Sequence, residues 1–143
     1  NYKVLYSSTT HELAHASHFS KVGVSYWDTY IRYIMESYVT DGGMTYGDGS
    51  GITAGYCEIG EMWAYYLESK LYKERYGGGF PTFGTSYWFY PQIFRYLDER
   101  GVGTSDIFSV LNKDVTTRSG LKAALTTSFP EERTVIEQVF SRY

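Results

Sequence analysis

The stretch THELAHASHFSKV, residues 10–22, decides how this chain is expected to fold and what chemistry it can carry. His11 and His15 are four residues apart, so on a helix both imidazoles stand one turn apart on one face, within reach of a single ion. All three histidines of the 143-residue chain fall inside this stretch. We therefore predict a helix here on which His11 and His15 are ligands of a zinc ion.

Glu12 completes the HExxH spacing, about 100° round the helix from His11 and off the line of the two ligands. Zinc lowers the pKa of a bound water toward about 7, and a carboxylate beside that water can accept its proton. The spacing thus predicts Glu12 as the general base of a hydrolytic reaction. The competing interpretation is a structural helix with two incidental histidines.

Zinc needs a third protein ligand, and His18 is the first candidate. It shares a face with His11 but lies about 10 Å further along a straight helix, too far for an ion with bonds near 2 Å. Metzincins meet this need with the pattern HExxHxxGxxH, but this chain has His18 and Lys21 where that pattern has Gly and His. We reject that arrangement and expect His18 to lie behind the ligands, to face substrate or to be solvated.

The next candidates lie on a helix predicted over residues 56–76. Glu58, Glu61 and Glu68 are spaced by three and seven residues and therefore share one face. The residues alone leave Glu58 and Glu61 open as the third ligand, and Glu58 could instead hold a ligand imidazole through its second N–H. Cys57 is expected to be a small buried residue, because a site of two histidines and a carboxylate has little use for a thiolate.

The sequence GEMWAYYLE, residues 60–68, resembles the NEGFAxYxE stretch of aminopeptidase N-like gluzincins and, more distantly, the NExxSD helix of thermolysin-like enzymes. The resemblance implies that Glu61 is the third zinc ligand and Glu68 a supporting charge. It also implies a gluzincin-type zinc metallopeptidase that acts on peptide or protein substrates. It covers two short helices, with Gly60 where Asn is usual and a longer gap between the two motifs, so the exact family is unassigned.

Periodicity and helix breakers predict a mainly α fold with at most one short N-terminal strand, residues 2–6. Ser7, Ser8, Thr9 and Thr10 offer N-caps for the first helix, and Gly23 is a natural stop. The predicted helices span residues 10–22, 25–39, 56–76, 88–100, 105–111, 117–126 and 130–142, with glycine-rich breaks at 40–55 and 77–86.

The resemblance makes residues 1–143 a single zincin-like domain, the helical catalytic half of a metallopeptidase. Thermolysin-like enzymes carry a β-rich lobe before HExxH, and only ten residues precede His11 here. We therefore expect this chain to be a C-terminal part of a larger one, whose missing N-terminal region would complete the substrate cleft; the alternative is a minimal family without that lobe.

Composition excludes some partners. The net charge of −3 and the scattered Lys and Arg argue against nucleic acid. No apolar run approaches the roughly 20 residues that span a bilayer. The single Cys57 excludes an internal disulfide. Abundant Tyr, Gly and Thr with one Cys are typical of a secreted protein, so an extracellular or periplasmic location is expected.

Two questions stay open from the sequence. Gluzincins commonly stabilise the oxyanion with a Tyr or His from a later segment, and Tyr87, Tyr90 and His18 are candidates among 16 tyrosines and three histidines. The main alternative function is a catalytically inactive zincin-like module that binds peptide or glycan in an aromatic cleft.

Overall fold

The fold is seen in a computed structural model that describes residues 1–78 and 87–143. Over these residues there are helices and turns but no strand, so the prediction of a mainly α fold is confirmed. None of the helices found there is long and apolar enough to cross a membrane. In chain order they are α1 (Tyr2–Thr40), α2 (Ala54–Tyr76), α3 (Gln92–Glu99), α4 (Thr104–Val110), α5 (Arg118–Ser128), a 3-10 helix (Pro130–Glu132) and α6 (Arg133–Phe140).

The long helix α1 folds back on itself at Gly23. That residue has φ 83° and ψ −178°, a conformation open to glycine alone. In a straight helix His15 and Trp27 would lie about 18 Å apart along the axis, yet their ring centroids are 5.5 Å apart. The predicted stop at Gly23 is therefore confirmed, and segments 2–22 and 24–40 form a hairpin of two helices.

The predicted N-terminal strand is wrong, because α1 already begins at Tyr2. The side chain of Asn1 accepts a hydrogen bond from the Lys3 backbone N–H and caps the helix. The Tyr6 ring then packs edge-on against Tyr76 of α2. Cap and tertiary packing together override the β-propensity of this short run.

The predicted N-caps are also wrong, since residues 7–10 lie inside the first helix. Thr10 turns its hydroxyl back to the carbonyls of Tyr6 and Ser7, which lets a residue typical of helix starts sit within the helix.

Helix α2 is the central element. Residues 57–64 are buried without interruption, so this stretch is covered on all sides. The hairpin of α1 covers one side, and Trp63 donates from Nε1 to the hydroxyl of Ser17 there. On the other side the fully buried Ile93, Phe94 and Leu97 of α3 join the same apolar core. A buried helix between two layers can present polar side chains in a dry environment, and α2 does so with Glu58 and Glu61.

The C-terminal helices follow the predicted order with shifted ends. The predicted helix at 88–100 begins only at Gln92, and the one at 130–142 is divided into a 3-10 turn and α6. Of the glycine-rich break at 77–86, residues 79–86 lie outside the described residues.

Candidate metal centre

Three polar side chains, two from α1 and one from α2, converge where these two helices pack together. His11 and His15 project from segment 2–22, and Glu61 projects from α2 between them. One ligand atom from each lies within 4.8 Å of the others. The two histidines that the HExxH spacing predicts and the glutamate that the gluzincin resemblance implies therefore lie together in the structure.

The spacing of these atoms can be compared with that around a tetrahedral ion. His11 Nε2 and His15 Nε2 are 3.1 Å apart. The carboxylate of Glu61 lies 3.1 Å from His15 Nε2 through Oε2 and 3.3 Å from His11 Nε2 through Oε1. Zinc with bonds of about 2.0–2.1 Å at tetrahedral angles separates its ligand atoms by about 3.3–3.4 Å. The two imidazole nitrogens are within a few tenths of an ångström of that separation, and each lies near a different oxygen of Glu61; with one ligand atom from each residue, the three lie within 4.8 Å of one another.

The pKa values of His11 and Glu61 show that this cluster favours a positive charge. Burial by itself lowers the pKa of His11, but hydrogen bonding and charge from Glu61 and Glu68 outweigh it and raise that pKa to about 9. Burial by itself raises the pKa of Glu61, but its contacts with His11 and His15 lower that pKa to about 2. Without a metal, a proton on His11 therefore serves as the cation. Glu61 Oε1 and His15 Nδ1 are buried and have no hydrogen-bond partner among the described residues.

Glu68 stands behind His11 on the side away from Glu61. Its Oε1 lies 2.8 Å from His11 Nδ1, and its Oε2 accepts from the hydroxyl of Ser7. A proton on Nδ1 directed at this carboxylate leaves Nε2 facing the cluster, which is the tautomer a metal ligand requires. The supporting charge that the resemblance implied for Glu68 has this position in the structure.

Glu58, the other candidate for third ligand, points elsewhere. Its carboxylate accepts two hydrogen bonds from the Arg118 guanidinium of α5, at 2.9 Å from Nε and 2.5 Å from an Nη atom. It therefore neither joins the cluster nor holds a ligand imidazole. Cys57 is fully buried as expected, and burial raises the pKa of its thiol.

The two remaining polar residues of the motif helix have opposite environments. Glu12 is exposed and makes no hydrogen bond or ion pair with the described residues. His18 is completely buried against the rings of Tyr26 and Trp27, so the expectation that it is solvated or faces substrate is wrong. The fold-back at Gly23 explains this, since it lays segment 24–40 over the face that carries His18.

Tyrosine hydroxyls line one flank of the cluster. The Tyr65 ring meets His11 edge-on at 4.5 Å between centroids. Its hydroxyl lies 3.2 Å from that of Tyr46 and donates to that of Tyr87 at 3.4 Å. Tyr90 instead packs on Tyr143 and lies under the Arg118 guanidinium. Of the two tyrosine candidates for oxyanion donor, only Tyr87 thus belongs to the group of hydroxyls beside the cluster.

Three tyrosines near the cluster were missed at the level of sequence. Tyr65 could have been found, because it follows Glu61 by four residues and shares its face of α2. Tyr30 and Tyr46 carry no comparable signal, since each reaches the cluster through the tertiary fold.

Comparisons of the chain with known protein families, with curated proteins and with solved structures found no match. Any functional statement therefore rests on the geometry of the described residues. The resemblance to gluzincins is limited to two short motifs.

Proposed function

We propose that this chain is a zinc-dependent metallohydrolase of the gluzincin type that cleaves peptide bonds. The observation that carries the proposal is the convergence of His11 Nε2, His15 Nε2 and the Glu61 carboxylate at 3.1, 3.1 and 3.3 Å. Two histidines and a carboxylate are a donor set used by catalytic zinc sites, which keep the fourth position for water or substrate. Oε1 of Glu61 is buried, has no hydrogen-bond partner among the described residues and lies 3.3 Å from His11 Nε2, so it is an acceptor that a cation between them would satisfy.

Each residue then has a distinct task. Bound zinc would supply a water of lowered pKa and polarise a substrate carbonyl. His11, His15 and Glu61 hold the ion, and Glu68 keeps the His11 ring in its required tautomer. Glu12 would be the base that accepts a proton from this water and gives it to the leaving amine. The Glu12 carboxylate is exposed and makes no hydrogen bond or ion pair with the described residues.

The hydroxyls of Tyr46, Tyr65 and Tyr87 are our candidates for binding the developing oxyanion. Burial raises the pKa of Tyr65 above its usual value, aided by the two neighbouring hydroxyls. Burial and the Glu61 carboxylate likewise raise the pKa of Tyr46. Both hydroxyls stay protonated at neutral pH and can donate, which is what a developing negative charge needs.

Metal analysis tests the zinc site. We expect one equivalent of zinc in protein prepared with zinc present, lost in His15→Ala and Glu61→Ala. Glu12→Gln is the matched control, because it changes the same helix without removing a ligand and is expected to keep its zinc. A wild-type protein that takes up no zinc under these conditions overturns the proposal.

Activity needs a separate test on the zinc-loaded protein. We expect hydrolysis of peptides from a mixed library by wild type, and a loss of at least about 10²-fold in Glu12→Gln, the lower range for a general base. Equal absence of hydrolysis in both zinc-loaded proteins would favour the alternative, a zincin-like module that binds peptide or glycan without cleaving it.

A further inference from the structure

Tyr30 reaches the candidate zinc site from the far arm of the helical hairpin. It lies on segment 24–40, is 1% exposed, and its hydroxyl donates to Oε2 of Glu61. In a straight helix it would lie about 22 Å from His15 along the axis, whereas their ring centroids are 6.2 Å apart. The contact with Glu61 therefore exists because the chain turns back at Gly23.

The Tyr30 ring is fixed between two neighbours. Trp27 stacks on it at 4.8 Å between centroids with planes 17° apart. The backbone of Gly60 meets its edge so closely that a Cβ at position 60 would overlap Cε2 of the ring. Gly60 directly precedes Glu61, so the missing side chain provides the space through which the phenol reaches the carboxylate.

The hydroxyl acts on one oxygen of the carboxylate only. Oε2 receives the Tyr30 hydroxyl and lies beside His15, while Oε1 has no hydrogen-bond partner among the described residues and lies 3.3 Å from His11 Nε2. A hydrogen bond to one oxygen restricts the rotation of the carboxylate about its last C–C bond. The other oxygen is then held toward the cluster.

We propose that Tyr30, in the space left by Gly60, is a positioning residue that orients Glu61 for metal binding. This rests on the proposed zinc site and adds to it a residue that touches neither metal nor substrate. Partners behind ligating side chains typically change metal affinity by roughly 10- to 100-fold. A tyrosine that merely satisfied a buried carboxylate would instead change the stability of the fold and leave metal affinity unaltered.

The test compares Tyr30→Phe with Tyr66→Phe. Tyr66 is equally buried at 1% exposure, and its hydroxyl also donates to a carboxylate, that of Asp98 at 2.8 Å, away from the cluster. Zinc affinity is measured by competition with a chelator, and the cobalt-substituted proteins are compared by visible absorption. We expect Tyr30→Phe to bind zinc roughly 10- to 100-fold more weakly with an altered cobalt spectrum, and Tyr66→Phe to match wild type in both.

A second variant probes the same contact without removing the hydroxyl. Gly60→Ala forces the Tyr30 ring away from the backbone, so it should weaken zinc binding and alter the cobalt spectrum like Tyr30→Phe. If either substitution prevents folding, 3-fluorotyrosine at position 30 keeps the ring and strengthens its hydroxyl as a donor. We then expect a shifted cobalt spectrum, and none from the same replacement at position 66.

The outcomes separate the two levels of the proposal. A Tyr30→Phe protein with wild-type zinc affinity and cobalt spectrum overturns the positioning role and leaves the zinc site standing. An unchanged spectrum with 3-fluorotyrosine at position 30 does the same. A wild-type protein that binds neither zinc nor cobalt overturns the proposed function itself, and the role of Tyr30 with it.

Discussion

Two glutamates one turn apart on α2 have opposite surroundings. Glu58 and Glu61 are both buried, at 6% and 3% exposure. Glu58 faces α5, where the Arg118 guanidinium donates to it twice. Glu61 faces α1, where two imidazoles and a phenol surround it. The same residue type on the same helix thus meets a permanent cation on one side and only titratable or neutral groups on the other.

This difference is the one expected between a carboxylate that links helices and one that binds a metal, as we propose for Glu61. Arg118 keeps its charge at all ordinary pH values, so the charge of Glu58 is already balanced. The imidazoles near Glu61 can release protons to solvent when a metal binds in their place, and a buried carboxylate without a permanent partner favours a cation beside it. A buried ion pair with arginine is the arrangement expected of a link between helices. A carboxylate among histidines is the arrangement expected of a ligand.

Replacing each glutamate by glutamine should give the largest contrast. We expect Glu61→Gln to weaken zinc binding by at least about 10³-fold, because a neutral amide in place of a charged direct ligand should exceed the roughly 10- to 100-fold effect of losing a partner behind a ligand. Glu58→Gln should change zinc affinity by less than about threefold. Competition with a chelator at fixed pH measures both. Comparable weakening by the two substitutions would contradict the division between the glutamates.

The pH dependence of the metal-free protein should reveal the proton that stands in for the metal. The pKa of His11 is raised to about 9, so its stabilising contribution is complete below the unfolded pKa of 6.5 and is lost as the pH rises through 9. This shift corresponds to about 3 kcal/mol in the free energy of unfolding. Urea unfolding between pH 6.5 and 9.5 measures it, with His11→Gln as the control that should lack the alkaline loss.

Acid should destabilise the same region for two further reasons. The pKa of Glu61 is lowered to about 2, so its contribution is present above its usual 4.5 and is lost as the pH falls toward 2. Burial lowers the pKa of His18 to about 4, aided by His15 and Lys21, so unfolding takes up a proton between pH 6.5 and 4. Metal-free stability should therefore peak near pH 6.5. A profile that is flat from pH 6.5 to 9.5 would contradict the protonated cluster.

Breaking the ion pair on the other side should affect the fold rather than the metal. Glu58→Gln leaves the Arg118 guanidinium without its charged partner, and Arg118 is only 27% exposed. We expect the free energy of unfolding to fall by about 2 kcal/mol, within the range for hydrogen bonds to charged groups. Thermal unfolding of the zinc-free protein measures it. In the double variant with Arg118→Met the loss should be smaller than the sum of the two single losses, because no buried charge is left unpaired.

The features that depend on a few neighbouring residues could be predicted from the sequence, whereas those that depend on the tertiary fold could not. The spacing of His11 and His15 and the break at Gly23 are local, because helix geometry and glycine conformation act over a few residues. How far the chain turns at Gly23 is not local. That turn buries His18 and brings Tyr30 to Glu61, two contacts that periodicity alone cannot reveal.

For the same reason, the sequence alone could not decide whether Glu58 or Glu61 lies beside the histidines. Both lie on one face of a helix in projection, and their separate environments arise from elements distant in sequence. Arg118 follows Glu58 by 60 residues, and nothing near either residue links them. The prediction of a strand over residues 2–6 failed for a related reason, since packing of Tyr6 on α2 outweighs local preference there.

The last prediction, with the smallest expected effect, asks whether Glu68 of α2 supports zinc binding as well as Glu61. Glu68→Gln keeps an acceptor for His11 Nδ1 but removes the negative charge that lies 2.8 Å from it. Zinc binding should weaken by about tenfold, the lower end for such partners, because glutamine still holds the ring in place. Glu74→Gln is the matched control: it lies on the same helix, and its carboxylate is 60% exposed at 4.0 Å from Lys70. Equal zinc affinities for the two variants would confine the metal-binding side of α2 to Glu61 alone. A tenfold difference would show that the carboxylate two turns further along supports the same ion, whereas Glu58, nearer in sequence, supports only the fold.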